Sequence, residues 1–325
     1  MTVLLRLAVA GLALWFVAMA TGQALSIYEL QYTVDPSGAS PHDGQVVDCA
    51  GGVCVAKFAG SRPRLILQDP AYPDGWGGIQ VKDWIYPYDL FNQVQIGDWV
   101  ELSNMLVEEY RGTTFLHRQA AYNPGYLIVS QHNPLPALLE VSVGAIAAPV
   151  FDPNNPNGPG WYVADHRAEP YESMRLLVRD LSVTEMDLGK ALDNYRLRDG
   201  GGQDCWASDY MNQDVGEWGY HPLVEVGRHF CAVSGVLEQY TKLNEQWDYY
   251  QLVTTLSADM GLRGDLNCDC NVDGFDIQAF VLALTDAAAY YAAQPDCNRG
   301  LADVNSDGVI DGFDIAPFVQ LLTGR

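Results

Sequence analysis

The sequence predicts a mainly β protein: two small closed or half-closed barrels in succession, then a small α-helical module at the C-terminus. Three observations predict it. Short runs rich in β-branched and aromatic residues recur through the first 258 positions, separated by glycine and turn residues. No long helical period interrupts them. From residue 262 onward one motif occurs twice, each copy followed by apolar residues at helical spacing. The composition agrees, with 8 Trp, 18 Tyr and 31 Gly in 325 residues and about half of the chain apolar.

The start of the chain reads as an export signal over 1–20. A short basic segment ending at Arg6 precedes an unbroken apolar run over 7–20, and Ala18, Met19 and Ala20 offer a small-x-small cleavage site. The run is shorter than the roughly 20 residues a bilayer span requires, and no Cys follows the site. The expectation is a secreted or cell-surface protein with no transmembrane anchor after cleavage.

The first barrel is expected over 27–132, with strands at 65–68, 79–84, 99–107 and 113–117 and a hairpin turn at Tyr110, Arg111 and Gly112. A Pro/Asn/Gly-rich stretch over 133–164 reads as a linker. The second barrel is expected over 165–260, with strands at 174–184, 194–198, 205–209, 229–240 and 249–255. Five short strands with glycine at the bends fit a small barrel.

The repeat over 262–325 has an offset of 38 residues and eleven identical matched positions. Calcium takes six to eight hard oxygen ligands, which a twelve-residue loop supplies from positions 1, 3, 5, 7, 9 and 12. In the first loop these are Asp265, Asn267, Asp269, Asn271 (through its carbonyl), Asp273 and Asp276. In the second they are Asp303, Asn305, Asp307, Val309 (carbonyl), Asp311 and Asp314. Two calcium ions are expected. Position 12 is Asp rather than the Glu of calcium sensors. Position 6, where a left-handed turn favours glycine, is Gly308 in loop two but Cys270 in loop one. Behind the loops, Ile277, Phe280, Val281 and Leu284 match Ile315, Phe318, Val319 and Leu322, and these stripes are expected to pack on each other.

The duplicated Asp-x-Asn-x-Asp-x-x-x-Asp-Gly-Phe-Asp loop with a helix behind it resembles a type I dockerin, built on EF-hand-type loops. That resemblance implies calcium binding and docking to a cohesin-like or other extracellular protein partner. Dockerins engage cohesins through loop positions 10 and 11, which here are Gly274-Phe275 and Gly312-Phe313 in place of a small hydroxyl pair. Further upstream, the Gly97-Asp98-Trp99-Val100-Glu101-Leu102 run, the hairpin after Val107, the Tyr171-Glu172-Ser173-Met174 entry into Leu177-Val178, and Gly235-Val236-Leu237-Glu238 resemble OB-folds. They are similar to the tandem OB-like domains beside extracellular nuclease domains.

OB barrels bind oligosaccharides or oligonucleotides on one open face, with aromatics as platforms. Trp76, Trp84, Tyr86 and Tyr88 are candidate platforms, and Lys82, Arg111 and Arg118 candidate phosphate contacts. Net charge is −23, with 41 acidic against 18 basic residues. Such a field does not draw in polyphosphates, so a polysaccharide fits better than nucleic acid. No GxSxG, HExxH, P-loop or GxGxxG motif occurs, and the six His are scattered. A non-catalytic binding protein is expected; the competing reading is a secreted hydrolase of polysaccharide or nucleic acid carrying the same module.

Seven cysteines in an exported chain imply disulfides. Spacing suggests Cys49 with Cys54, Cys205 with Cys231, and Cys297 with Cys268 or Cys270, leaving one thiol over.

Overall fold

A computed structural model describes residues 23–60, 62–186, 188, 194–215 and 219–324. The export signal expected at 1–20 lies outside them. The described residues are mainly β, with five short α-helices among them.

The N-terminal unit opens with helix α1 (Ile27–Gln31), whose Ser26 cap accepts the Glu29 N–H while the Glu29 carboxylate accepts the Ser26 N–H. Five strands follow: β1 (Val46–Phe58), β2 (Arg64–Gln68), β3 (Gly78–Asp83), β4 (Trp99–Tyr110) and β5 (Thr113–Arg118), with α2 (Asp89–Gln93) between β3 and β4. Their order is β1-β2-β3-β5-β4, and β4 pairs back on β1, so the sheet closes. Closure depends on β1 serving two neighbours. Its first half pairs β4 and its second half pairs β2, with irregular register between Cys49 and Gly52. There Gly51 sits at φ +84, and a Cβ on it would stand 2.0 Å from the Val100 carbonyl oxygen. Only glycine fits that bend. Strand β6 (Gly125–Ser130) extends the barrel along β4. Ile27 and Leu30 of α1 join Leu65, Leu67, Val81, Val100 and Leu116 in the core.

The stretch expected as a linker carries strands. β7 (Leu139–Glu140) pairs with the next sheet, and β8 (Val150–Asp152) and β9 (Gly160–Tyr162) form a hairpin across the Asn/Pro/Gly turn. The composition marks that turn correctly, but Val150, Phe151, Trp161 and Tyr162 on either side hold the flanks extended.

The second unit comprises β10 (Arg175–Glu185), β11 (Asn194–Asp199), β12 (Asp204–Ser208), β13 (His229–Lys242) and β14 (Trp247–Val253). Their order is β12-β11-β10-β13-β14, with β12 paired parallel to β14. That is the connectivity of the first barrel repeated: one long strand bonded to the second and fourth, and the third parallel to the fifth. The arrangement is OB-like in both. The two barrels pack directly on each other through Val55, Ala56 and Ile66 from one and Tyr210, Met211, Val236 and Val253 from the other.

The C-terminal unit has α3 (Asp276–Thr285), α4 (Ala287–Ala293) and α5 (Ile315–Thr323) around a small core. Phe280 and Phe318, equivalent positions of the repeat, stack with ring centroids 4.0 Å apart. The expected stripes divide. Leu284 and Leu322 pack beside the phenylalanines, whereas Ile277, Val281, Ile315 and Val319 are exposed.

The cysteines depart from their expected pairing. Disulfides join Cys231 to Cys270 and Cys268 to Cys297, while Cys49, Cys54 and Cys205 are buried thiols. Cys49 and Cys54 lie five residues apart on one extended strand, roughly 16 Å by strand rise, beyond disulfide reach. Cys205 points into the core of the second barrel, away from half-buried Cys231. Burial pushes each of the three thiols up to about 12, so they behave as core residues. The Cys231–Cys270 bond ties the first C-terminal loop to β13.

Candidate functional site

Two places gather chemistry. The first is the pair of C-terminal loops, which close with the same hydrogen bonds. In loop one, Asp265 accepts the N–H groups of Asp269 and Cys270 at 3.1 and 2.9 Å, and in loop two Asp303 accepts those of Asp307 and Gly308 at 3.1 and 3.0 Å. Asp276 accepts from the backbone of Leu266, Asn267 and Asp273; Asp314 does so from Val304, Asn305 and Asp311. Cys270 and Gly308 hold the same left-handed backbone at φ +69 and +87. Four carboxylates (Asp265, Asp276, Asp303, Asp314) are buried. Burial pushes Asp265 and Asp303 up to about 6. Each carboxylate offers about four lone-pair sites, so the backbone bonds leave oxygen valence to spare. An all-oxygen, acid-rich donor set of this kind fits a hard divalent cation. By contrast, His229, Cys231 and Cys270 lie together, but the two sulfurs are bonded to each other and supply no thiolate.

The second place is a cavity of about 220 Å³ where the barrels meet. One wall is the β2–β3 face of the first barrel with its β1–β2 and β4–β5 loops. The other wall is Tyr210, Glu238, Gln239 and Tyr240 of the second barrel. Lys82 enters from β3, fully buried, its ammonium 2.8 Å from Glu108 and 3.8 Å from the Phe115 ring centre, with Tyr110 and Trp84 at 4.3 and 5.0 Å. Desolvation lowers its proton affinity. Arg111 leads the two-residue hairpin turn at φ +60, followed by Gly112 at +84, the left-handed pair such turns require. Its guanidinium lies 5.1 Å from the Tyr110 ring centre and 4.9 Å from that of Tyr240, and donates to the Tyr240 hydroxyl. Arg62 stacks on Trp84 at 4.7 Å. Arg64 donates to Glu238 at 3.1 Å and to Tyr210 at 2.9 Å. Glu238 also accepts from Tyr210 and Gln251. The cations therefore lie over the aromatic faces. Among the described residues, Arg62 and Arg111 have no carboxylate partner.

Of the seven expected contacts, Trp84, Lys82 and Arg111 line this cavity. The other four do not. Trp76 packs edge-on against Tyr32 and donates its backbone N–H to Pro170. Tyr86 and Tyr88 contact each other beyond β3, with Tyr86 exposed. Arg118 is held by Asp83 and Asp89 at 2.6 and 2.8 Å. Sequence reasoning missed Arg62 and Arg64, four and six residues past the end of β1, and the whole contribution of the second barrel. The signal available was the Arg-x-Arg pair opening β2; nothing local tells that Tyr210 and Glu238 complete the wall.

No protein-family model matches the chain, and no curated protein matches it in sequence. Among solved structures, the crystal structure of the tetrameric p202 HIN2 is similar at a TM-score of 0.29 and 11% identity, over 65% of this chain and 88% of that one. Likeness at that level carries no argument here, and the OB-like character of the barrels rests on their strand order.

Proposed function

We propose that this chain is an exported, non-catalytic binding protein: the paired barrels hold a polysaccharide, and the C-terminal unit is a dockerin-like module that binds two calcium ions and docks to an extracellular protein partner. The observation that carries the barrel reading is the make-up of the shared cavity. Glycoside hydrolysis uses two carboxyl groups flanking one bond. Among the described residues that line the cavity Glu238 is the sole carboxylate, and Arg64, Tyr210 and Gln251 already engage it. What remains, aromatic rims with polar and cationic groups, suits holding a hydroxyl-rich ligand rather than cleaving one.

In the C-terminal unit, Asp265, Asn267, Asp269, Asn271, Asp273 and Asp276 would hold one ion and Asp303, Asn305, Asp307, Val309, Asp311 and Asp314 the other. Calcium there would neutralise acids that the fold buries together.

The test is to incubate the whole chain, with calcium, with labelled polysaccharides and a labelled single-stranded oligonucleotide, reading mobility and fragment length together. Retarded, intact polysaccharide is the expected result. Shortened ligand would replace this reading with the hydrolase. Retarded oligonucleotide, lost steeply with salt, would replace the polysaccharide with nucleic acid.

A further inference from the structure

We infer that the cavity between the barrels recognises a single uronate unit, a sugar ring bearing one carboxylate, and that Arg62 and Arg111 are its specificity-determining residues. The inference rests on the binding reading above and names the chemistry of its ligand.

Four observations converge. First, in an isolated OB barrel the β2–β3 face is an open groove, but here Tyr210, Glu238 and Tyr240 of the second barrel wall it off, leaving about 220 Å³. That is a space for one ring of a polysaccharide rather than for a run of several. Second, Arg62 and Arg111 bring charge to the wall without a carboxylate partner among the described residues, whereas Arg64 and Lys82 are spent on Glu238 and Glu108. Planar guanidinium forks match a carboxylate in two parallel bonds. Third, the ring faces are already covered. Arg62 and Lys82 lie over Trp84, and Arg111 lies against Tyr110 and Tyr240. A nucleobase, which binds by stacking, finds those faces taken, while a sugar can use the ring edges. Fourth, Glu238 on the wall accepts hydrogen bonds. Its charge repels a phosphate dianion about twice as strongly as the single charge of a uronate. The net charge of −23 acts in the same direction, since its field penalises a ligand in proportion to that ligand's negative charge.

The experiment is calorimetric titration of the whole chain, calcium present, with methyl glucuronide, neutral methyl glucoside, uridine monophosphate and a polygalacturonate. Methyl glucuronide is expected to bind, and the neutral glycoside to bind on the order of tenfold more weakly for want of the charge-assisted bonds. Arg111→Gln and Arg62→Gln should each weaken the glucuronide by about the same factor, and Tyr86→Ala, which lies off the cavity, should not. Both arginines sit on loops, and the comparison of charged with neutral glycoside on the unaltered chain does not depend on the variants folding. Equal affinity for the two glycosides, or unchanged affinity in both arginine variants, overturns the inference. Tighter binding of uridine monophosphate assigns the cavity to a nucleotide and overturns it too. If the chain retards a neutral polysaccharide but no charged monomer binds, the uronate assignment falls and the binding reading stands. No binding to any probe removes both.

Discussion

At Cys270 a residue with a side chain occupies a position whose counterpart, Gly308, has none, and both adopt the left-handed backbone. A non-glycine residue there costs roughly 1–2 kcal/mol. Its bond to Cys231 holds the conformation from outside the loop, since Cys231 is anchored in β13. Cys231→Ser removes that support and leaves the cost. On the calcium reading, the variant should lose affinity at one of two sites by about five- to thirtyfold, with the other site unchanged, in a two-site calorimetric titration. Adding Cys270→Gly to it should restore the lost site. Two unaltered sites in Cys231→Ser would show that the tether does nothing for the loop. The spacing of the cysteines could not reveal this pairing, because the chain between Cys231 and Cys270, a sequence separation of 39, passes through β14 and into another unit. The φ that makes the bond useful was nevertheless legible, from Cys standing where the repeat has Gly.

Among elements, strands read well wherever one face is apolar and the ends carry turn residues. β2, β3, β4, β5 and β10 to β14 were all legible. β1, the longest strand of the first barrel, was not. Its Cys-Ala-Gly-Gly centre argues against a strand by propensity, yet those glycines let one strand bend to serve both β2 and β4. Gly51→Ala should therefore cost more than about 3 kcal/mol, from the positive φ and from a Cβ placed on the Val100 carbonyl. A urea midpoint within error of the parent chain would show that the bend relaxes. The helices α3 and α5 are governed differently. Helix α3 begins at Asp276, the last aspartate of its loop, and α5 directly after Asp314, and each of these side chains accepts from its own loop's backbone. Chelation should melt α3 and α5 while the barrels keep their sheet signal in far-ultraviolet circular dichroism. A helical signal indifferent to chelator would remove calcium from the reading. The candidate cavity was half legible for a related reason. The first barrel's β2–β3 face follows from its strands, but no local pattern states which neighbour will close it.

Over the whole molecule, a group of carboxylates gathers beside the apolar contact between the barrels. Glu172 accepts the Thr114 N–H at 3.0 Å, Glu109 accepts the Ser40 N–H and the Thr114 hydroxyl, and Glu169 accepts the Tyr250 hydroxyl at 2.6 Å. Burial, then the neighbouring carboxylates, pushes Glu172 well up, and burial pushes Glu169 to about 7. His166 donates from Nδ1 to the Pro36 carbonyl at 2.8 Å and, when protonated, from Nε2 to Asp248 at 3.1 Å, and the Asp248 bond raises it to about 9. All three groups hold protons more tightly folded than unfolded, so their stabilisation is complete below the unfolded values and fades as pH rises through the folded ones. For Glu169 the fade spans from about 4.3 to 7, and for His166 from about 6.5 to 9. His221 acts the other way, since burial lowers it to about 4, and its contribution is lost as pH falls from about 6.5. With calcium saturating throughout, the melting temperature should decline steadily from pH 7 to 9. His166→Gln should flatten that limb, and Glu169→Gln should flatten the limb between pH 5 and 7. A decline that survives both substitutions would place the alkaline sensitivity elsewhere, in the acidic surface as a whole, whose mutual repulsion responds to salt as these buried groups do not.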